Sequence, residues 1–278
     1  MFKSLRKLER EISAPPNSNR LPEIVLFGDS LTEWSFDDST QGFGLHLEKM
    51  YAGKARILNE GQAGYTSTRL SSDFDRIIQR ATSPTTPRTL LFTIFLGAND
   101  ACMIGTDAMV PWPTFSANIR AFIETILTQD GGLAETKIAV ISPPPINGAE
   151  AKARGDESVE EIAESNEWKK EGPRYKTYMS KKRYAEGLME IAAEYEETGR
   201  VIGVDYWRAM VEASGLGTWE EFEEKGMWPG CGLLGARSFD KGWFTDGLHL
   251  DVRGYSVLNE LLVEKVLEKW PELGPGEL

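Results

Sequence analysis

The chain carries, at separate turns, the residue types that acyl transfer requires. Acyl transfer needs a nucleophile, a base to remove its proton, an acid that orients the base, and donors for the oxyanion. Ser30 supplies a hydroxyl, and Asn99 supplies a side-chain amide. Gly64 supplies a backbone N–H that no Cβ shields, and Asp246 precedes His249 by three residues. These residues predict an acyl-transfer site if the fold brings them together.

Histidine is scarce, with only two in the chain, so a histidine base must be His46 or His249. A short loop can set the Asp246 carboxylate against the Nδ1 atom of His249. His46 lies in a predicted helix with Phe43 and Leu47, where we expect a partly buried structural residue. The sequence therefore favours His249 as the base.

Short apolar runs alternate with helical segments along the whole chain. The runs predict five buried strands, namely Glu23–Phe27, Ala55–Asn59, Thr89–Leu96, Lys137–Ser142 and Arg200–Asp205. Helical spacing is found in Gly44–Ala52, Ser67–Arg80, Phe115–Leu127, Tyr175–Glu197 and Tyr255–Trp270. Such alternation predicts an α/β protein with a parallel sheet covered on both faces. Ligands of such sheets bind beyond the carboxyl ends of the strands, where most of the polar residues named above lie.

One domain, residues 22–270, accounts for the chain between a polar lead, 1–21, and a C-terminal tail, 271–278. Two stretches interrupt the alternation. The acidic stretch 148–173 is either a solvated, partly helical surface excursion or a flap over a site. The aromatic stretch 219–244 either packs or lines an apolar pocket, and in the second case Trp228, Trp243 and Phe244 contact the substrate.

Composition excludes several classes of function. The 278 residues include 31 Lys and Arg against 43 Asp and Glu, a net charge of −12, which argues against nucleic acid or anionic lipid as a partner. The longest apolar run, Leu90–Leu96, is far short of the roughly 20 residues that span a bilayer. No signal-peptide pattern and no disulfide framework is evident, since Cys102 and Cys231 are the only cysteines, so we expect a cytoplasmic protein. Zinc, P-loop and dinucleotide motifs are absent, so no cofactor is expected.

Four ordered blocks resemble the GDSL or SGNH hydrolases. They are Gly28–Glu33, Gly64 in the next loop, Gly97–Asp100, and Asp246 with His249. Within that superfamily, these blocks and Pro143–Ile146 are most similar to isoamyl acetate-hydrolysing esterases. The resemblance covers about residues 22–270 and departs in the two interrupting stretches.

The resemblance implies a flavodoxin-like three-layer α/β/α sandwich with a five-stranded parallel sheet. It implies Ser30 as nucleophile, His249 as base and Asp246 as its orienting acid. The oxyanion donors would be the N–H groups of Ser30 and Gly64 and the Asn99 amide. The implied activity is hydrolysis of short-chain carboxylic esters, small-molecule substrates, through an acyl-serine.

Other functions stay open at this point. Deacetylation of sugars and hydrolysis of acyl-lipids or thioesters would use the same four blocks. A flavodoxin-like binding module without turnover, or a metal role for Asp246 and His249, would use the same residues differently.

Overall fold

The computed structural model describes residues 21–104, 109–148 and 157–278. Five parallel strands form one sheet in the order β2-β1-β3-β4-β5. The strands are β1 Glu23–Gly28, β2 Arg56–Gly61, β3 Thr89–Phe95, β4 Lys137–Ile141 and β5 Val201–Val204. This order is that of the flavodoxin-like sheet, and each strand lies within two residues of its predicted bounds. The predicted fold class is confirmed.

Helices follow the strands and cover the sheet. Those of eight residues or more are α2 Phe43–Met50, α3 Ser71–Ala81, α4 Trp112–Leu127, α5 Val159–Lys170, α6 Pro173–Glu194, α7 Tyr206–Ala213 and α9 Val252–Lys269. The shorter ones are α1 Ser30–Glu33 and α8 Trp219–Lys225. Each of the five helical segments predicted from spacing corresponds to one of these helices.

Alternate side chains of the strands enter two separate cores. On β1, Ile24 and Leu26 pack against α2 and α9, whereas Val25 and Phe27 pack against α3 and α4. Successive side chains of a strand point to opposite faces, so a strand buried on both faces is apolar throughout. This explains why the runs read as continuous rather than alternating.

Both interrupting stretches contain a helix, which the sequence analysis expected for part of the first stretch and did not predict for the second. Ser158 with Glu161, and Thr218 with Glu221, form capping boxes at the starts of α5 and α8. Asn166 on α5 is buried, and its amide donates to the Leu234 carbonyl while accepting from the Leu234 N–H, at 3.0 and 2.7 Å. The first stretch is therefore anchored to the second rather than freely solvated over its helical part. Residues 149–156 lie outside the described residues.

The structure describes the C-terminal end of the chain but little of the N-terminal lead. Of the polar lead, residues 1–20 lie outside the described residues. The C-terminal segment packs on the domain, because Leu273 is buried and its carbonyl accepts from the Tyr51 hydroxyl at 2.8 Å.

The prediction that His46 is partly buried is wrong. The buried residues of α2 are Phe43, Gly44 and Leu47, and His46 lies exposed outside this buried face. Within the described ranges, no helix is long and apolar enough to cross a bilayer.

Candidate active site

Ser30 begins α1 directly after β1, the second strand in the order of the sheet, at its carboxyl end. The chain leaves β1 towards β2 on one side and β3 lies on the other, so the strand order reverses here. Such a switch point opens a crevice between the loops that follow the two strands. At this turn the N–H groups of Leu31, Thr32 and Glu33 donate to Asp29, which leaves the Ser30 N–H as the one that can serve a substrate.

Ser30, His249 and Asp246 form a continuous chain of contacts. Ser30 Oγ lies 3.1 Å from His249 Nε2, and His249 Nδ1 lies 2.6 Å from Asp246 Oδ2. A carboxylate only accepts hydrogen bonds, so the ring proton resides on Nδ1. Nε2 is then free to accept the proton of the serine hydroxyl. The structure brings together residues that are more than two hundred positions apart in the chain.

A tight turn fixes Asp246 beneath the imidazole. Its Oδ1 accepts from the N–H groups of Leu248 and His249 at 2.9 and 2.8 Å. Partial desolvation opposes ionisation, but the hydrogen bonds from the His249 ring and from these two N–H groups outweigh it, so the pKa of Asp246 lies below its usual value. Gly247 has φ +89°, and a Cβ there would lie 2.7 Å from the Asn147 carbonyl oxygen, so only glycine suits the turn.

Trp34 contacts the imidazole, which the sequence analysis missed. Its ring centroid lies 4.3 Å from that of His249, at an interplanar angle of 46°. The indole is 45% exposed, so it forms an outer wall rather than part of a core. Its spacing of four residues from Ser30, at the end of α1, is the signal that could have revealed it.

Gly64 and Asn99 lie in two neighbouring loops that are bonded to each other. The Asn99 amide donates to the Tyr65 carbonyl at 2.8 Å, and its second N–H remains for another acceptor. Gly64 has φ +75°, a left-handed conformation that glycine adopts without strain. Glu33, whose role the sequence analysis did not assign, accepts from the Ala63 N–H at 2.5 Å and fixes this loop to α1.

Two buried carboxylates adjoin the proposed site, Asp29 before Ser30 and Asp100 after Asn99. Asp29 caps α1 by accepting from the Leu31 N–H at 2.9 Å, and burial raises its pKa to about 7. Asp100 accepts from the hydroxyl and the N–H of Ser67 at 2.6 and 2.9 Å. Burial also raises the pKa of Asp100, to about 6, although these hydrogen bonds oppose the rise. Asp29 therefore acts as a helix cap, whereas Asp100 joins the loop that follows β3 to the loop that precedes α3.

Two concavities adjoin the Ser30–His249–Asp246 chain. A cavity of about 550 Å³ is lined by Asn99, by the Asp246–Leu248 turn, by the start of α6 and by both interrupting stretches. A groove of about 190 Å³ is lined by Trp34, His249 and Tyr255. Volumes of several hundred Å³ are typical of small-molecule pockets.

The aromatic residues proposed to contact substrate are not among the residues that line either concavity. Trp228 and Trp243 are buried, and the Trp228 ring packs against Trp219 and Phe222. Phe244 packs edge-on against Phe239, with the ring centroids 5.3 Å apart. Their large apolar surface is used in packing behind the walls, so a substrate role for them stays a prediction.

Within residues 21–104, 109–148 and 157–278, no group of three or more His, Cys, Asp or Glu side chains could hold a metal ion. Cys102 and Cys231 are free thiols, and both line the larger cavity.

Comparison with known proteins places these residues in a family. The sequence profile of the GDSL-like lipase/acylhydrolase family matches residues 24–262. The chain is 32% identical to a bovine isoamyl acetate-hydrolyzing esterase 1 homolog over 127 residues, 45% of this chain and 49% of that protein. The matched region thus spans about half the length of that relative. This chain is 26% identical to the isoamyl acetate-hydrolyzing esterase of Saccharomyces cerevisiae over 266 residues, 92% of this chain and 90% of that protein.

Solved structures share the fold. An acetylxylan esterase from Geobacillus stearothermophilus superposes with a TM-score of 0.55 at 16% identity, covering 92% of this chain and 95% of that one. A lipolytic protein of the G-D-S-L family from Veillonella parvula gives a TM-score of 0.54 at 16% identity, covering 90% and 99%. Because the family profile matches most of the chain, this protein belongs to the GDSL-like lipase/acylhydrolase family.

Proposed function

We propose that the protein is a serine esterase that hydrolyses short-chain carboxylic esters of the acetate type. The observation that carries the proposal is the contact chain from Ser30 Oγ through His249 to Asp246, at 3.1 and 2.6 Å. The names of the relatives, which include isoamyl acetate-hydrolyzing esterases, support the substrate class.

The reaction begins when Ser30 Oγ attacks the ester carbonyl carbon while His249 Nε2 takes the hydroxyl proton. The carbonyl oxygen becomes an oxyanion, which accepts from the N–H groups of Ser30 and Gly64 and from the Asn99 amide. Asp246 stabilises the imidazolium through Nδ1. When the intermediate collapses, the bond to the alcohol oxygen breaks and His249 returns the proton to the leaving alcohol.

Water completes the cycle. His249 takes a proton from a water molecule whose oxygen attacks the acyl-serine carbonyl, and the same donors stabilise the second oxyanion. Collapse releases the carboxylic acid and returns the proton to Ser30. All proton transfers use one imidazole, and the reaction requires no cofactor.

A contact between two neighbouring loops supports the positions of the proposed oxyanion donors. The two loops that carry Gly64 and Asn99 are bonded to each other through Tyr65, so the donors are fixed before substrate arrives. A preorganised donor of this kind contributes roughly 100- to 1000-fold in rate. Asn99 carries no charge, so it favours the oxyanion without competing for the Asp246 carboxylate.

The test is hydrolysis of p-nitrophenyl esters from acetate to palmitate, alongside isoamyl acetate and acetylated xylose. We expect the highest kcat/KM between acetyl and butyryl esters, and loss of nearly all activity in Ser30→Ala and His249→Ala. His46→Ala is the matched control, because His46 is exposed on α2. An optimum at decanoyl or longer esters would instead indicate an acyl-lipid hydrolase. Preference for the acetylated sugar would indicate a carbohydrate deacetylase.

A further inference from the structure

Three buried side chains of α6 bind one loop of the proposed site. Thr177, Lys181 and Tyr184 are spaced by four and three residues, so they lie on one face of the helix. Their exposed fractions are 1%, 1% and 3%. The face would be apolar in an ordinary amphipathic helix, and a lysine is almost never fully buried unless it is paired.

Each of these side chains contacts the backbone of the segment between β3 and α4, which carries Asn99. Thr177 Oγ1 accepts from the Met103 N–H at 3.0 Å, and the Tyr184 hydroxyl donates to the Val110 carbonyl at 2.6 Å. The Lys181 ammonium donates to the carbonyl of Ala98. Ala98 immediately precedes Asn99, so Lys181 acts on the peptide next to a proposed oxyanion donor.

The charge on Lys181 also has partners near both ends of the proposed site. Asp29 precedes the nucleophile Ser30, and Asp100 follows Asn99. Both carboxylates interact electrostatically with Lys181. Within the described residues, the Oδ2 atom of each is buried without a hydrogen-bond partner. The electrostatic field of Asp29 and Asp100 favours the charged form of the Lys181 ammonium, an interaction that neither Thr177 nor Tyr184 can make.

We propose that Lys181 is a positioning residue whose ammonium holds the Ala98–Asn99 peptide in the orientation that directs the Asn99 amide at the oxyanion. This inference rests on the proposed esterase function and adds a residue from α6 to it. The ammonium donates to the Ala98 carbonyl, and the field of the two carboxylates favours its charged form. Without the ammonium, the loop that carries Asn99 loses a buried hydrogen bond.

A kinetic split distinguishes positioning from substrate binding. Lys181→Met keeps an unbranched side chain that is one heavy atom shorter, and it removes the charge and the donor. We expect kcat to fall at least about 10-fold, and at most by the roughly 100- to 1000-fold that loss of a whole oxyanion donor causes, with KM changed less than about twofold. Lys181→Arg retains a cation and is expected to recover part of kcat. Lys176→Met, an exposed position of the same helix, is the control and should match the wild type.

A pH profile gives a second, independent readout. Burial lowers the pKa of Lys181 to about 8, while Cys102, Asp29 and Asp100 oppose the decrease. We expect wild-type kcat to decline above about pH 8 as the ammonium loses its proton, and Lys181→Arg to lack that decline. Cys102→Ala should keep the decline, which separates the lysine from the neighbouring thiol.

The outcomes are distinct. If wild-type protein hydrolyses no ester, the proposed function fails, and this inference fails with it. If wild-type activity depends on Ser30 but folded Lys181→Met keeps more than about a tenth of the wild-type kcat, or changes only KM, positioning by Lys181 is overturned while the esterase function stands. Circular dichroism reports whether Lys181→Met folds. If it does not, a wild-type kcat that is constant from pH 7 to pH 10 overturns the inference, and a decline above about pH 8 that Cys102→Ala retains supports it.

Discussion

Replacing Asp246 removes the carboxylate that orients His249, the proposed base, and stabilises its positive charge during the reaction. During attack, the imidazolium and the Asp246 carboxylate form an ion pair whose nitrogen and oxygen are 2.6 Å apart. Two unit charges about 4 Å apart gain roughly 1 kcal/mol in water and roughly 4 kcal/mol at an effective dielectric constant of 20. At about 1.4 kcal/mol per tenfold, that range corresponds to about 5- to 900-fold in rate. Because the Asp246 side chain is 55% exposed, we expect the lower part of the range, about 10- to 100-fold, for Asp246→Ala.

The more conservative Asp246→Asn is expected to lose more activity than Asp246→Ala. Oδ1 already accepts from two backbone N–H groups, so the asparagine oxygen stays there and its NH2 group faces His249 Nδ1. Nδ1 must then accept, which places the ring proton on Nε2, where it blocks transfer from Ser30. Restoring the productive tautomer costs about one further hydrogen bond, roughly 0.5–1.5 kcal/mol, or about 2- to 13-fold.

The assay is kcat/KM on p-nitrophenyl acetate at constant pH and ionic strength. Asp240→Asn, an exposed carboxylate of the same segment, is the control and should match the wild type. The reasoning is refuted if Asp246→Ala stays within twofold of the wild type, or if Asp246→Asn is the more active of the two variants.

Three further outcomes follow from the geometry. Trp34→Ala should reduce kcat/KM about 2- to 13-fold with little change in Tm, because an aromatic contact contributes roughly 0.5–1.5 kcal/mol. Trp168→Ala, at an exposed position of α5, is the control and should change neither quantity. Equal effects of the two substitutions would show that the contact between Trp34 and His249 does not matter for activity. Asp29 has its pKa raised to about 7 by burial, so its contribution to the free energy of unfolding is present below the unfolded value of about 3.8 and is lost as pH rises through 7. Urea unfolding from pH 5 to pH 8 should show this loss, and it should be smaller in Asp29→Asn. Trp243→Ala should cost roughly 3–5 kcal/mol of stability because the indole is buried, and leave the preferred acyl length unchanged. A shift to longer acyl chains at unchanged Tm would instead make Trp243 a substrate contact.

The sequence predicted the sheet and the principal site residues because both depend on local pattern. The strands β1 and β3 are buried, continuous apolar runs, and Ser30 and Asn99 come just after them. Gly64 follows β2, which the sequence analysis expected to be buried but which is largely exposed or half-buried because it lies at the edge of the sheet. Their proximity then follows from the parallel arrangement alone. Asp246 and His249 were recognisable by their mutual spacing, even though no strand precedes them.

The missed residues depend on which helix face meets which loop. Lys181 lies in a segment of helical spacing and interrupts the buried face that Tyr178 and Tyr184 share. A lysine on the buried face of a helix indicates a paired side chain. The helices α5 and α8 begin with capping boxes that the sequence displays as Ser-x-x-Glu and Thr-x-x-Glu. The position of His46 could not be fixed, because the direction of the buried arc of a short helix depends on its tertiary neighbours.

The central claim is that Ser30 is an activated nucleophile, and covalent labelling tests it most directly. The protein is treated with a fluorophosphonate, the intact mass is measured, and the modified peptide is sequenced by mass spectrometry. We predict one adduct per chain, on Ser30, that forms in the wild type and in His46→Ala but not in Ser30→Ala or His249→Ala. A protein that hydrolyses esters without forming this adduct, or that carries the adduct on another residue, would contradict the account.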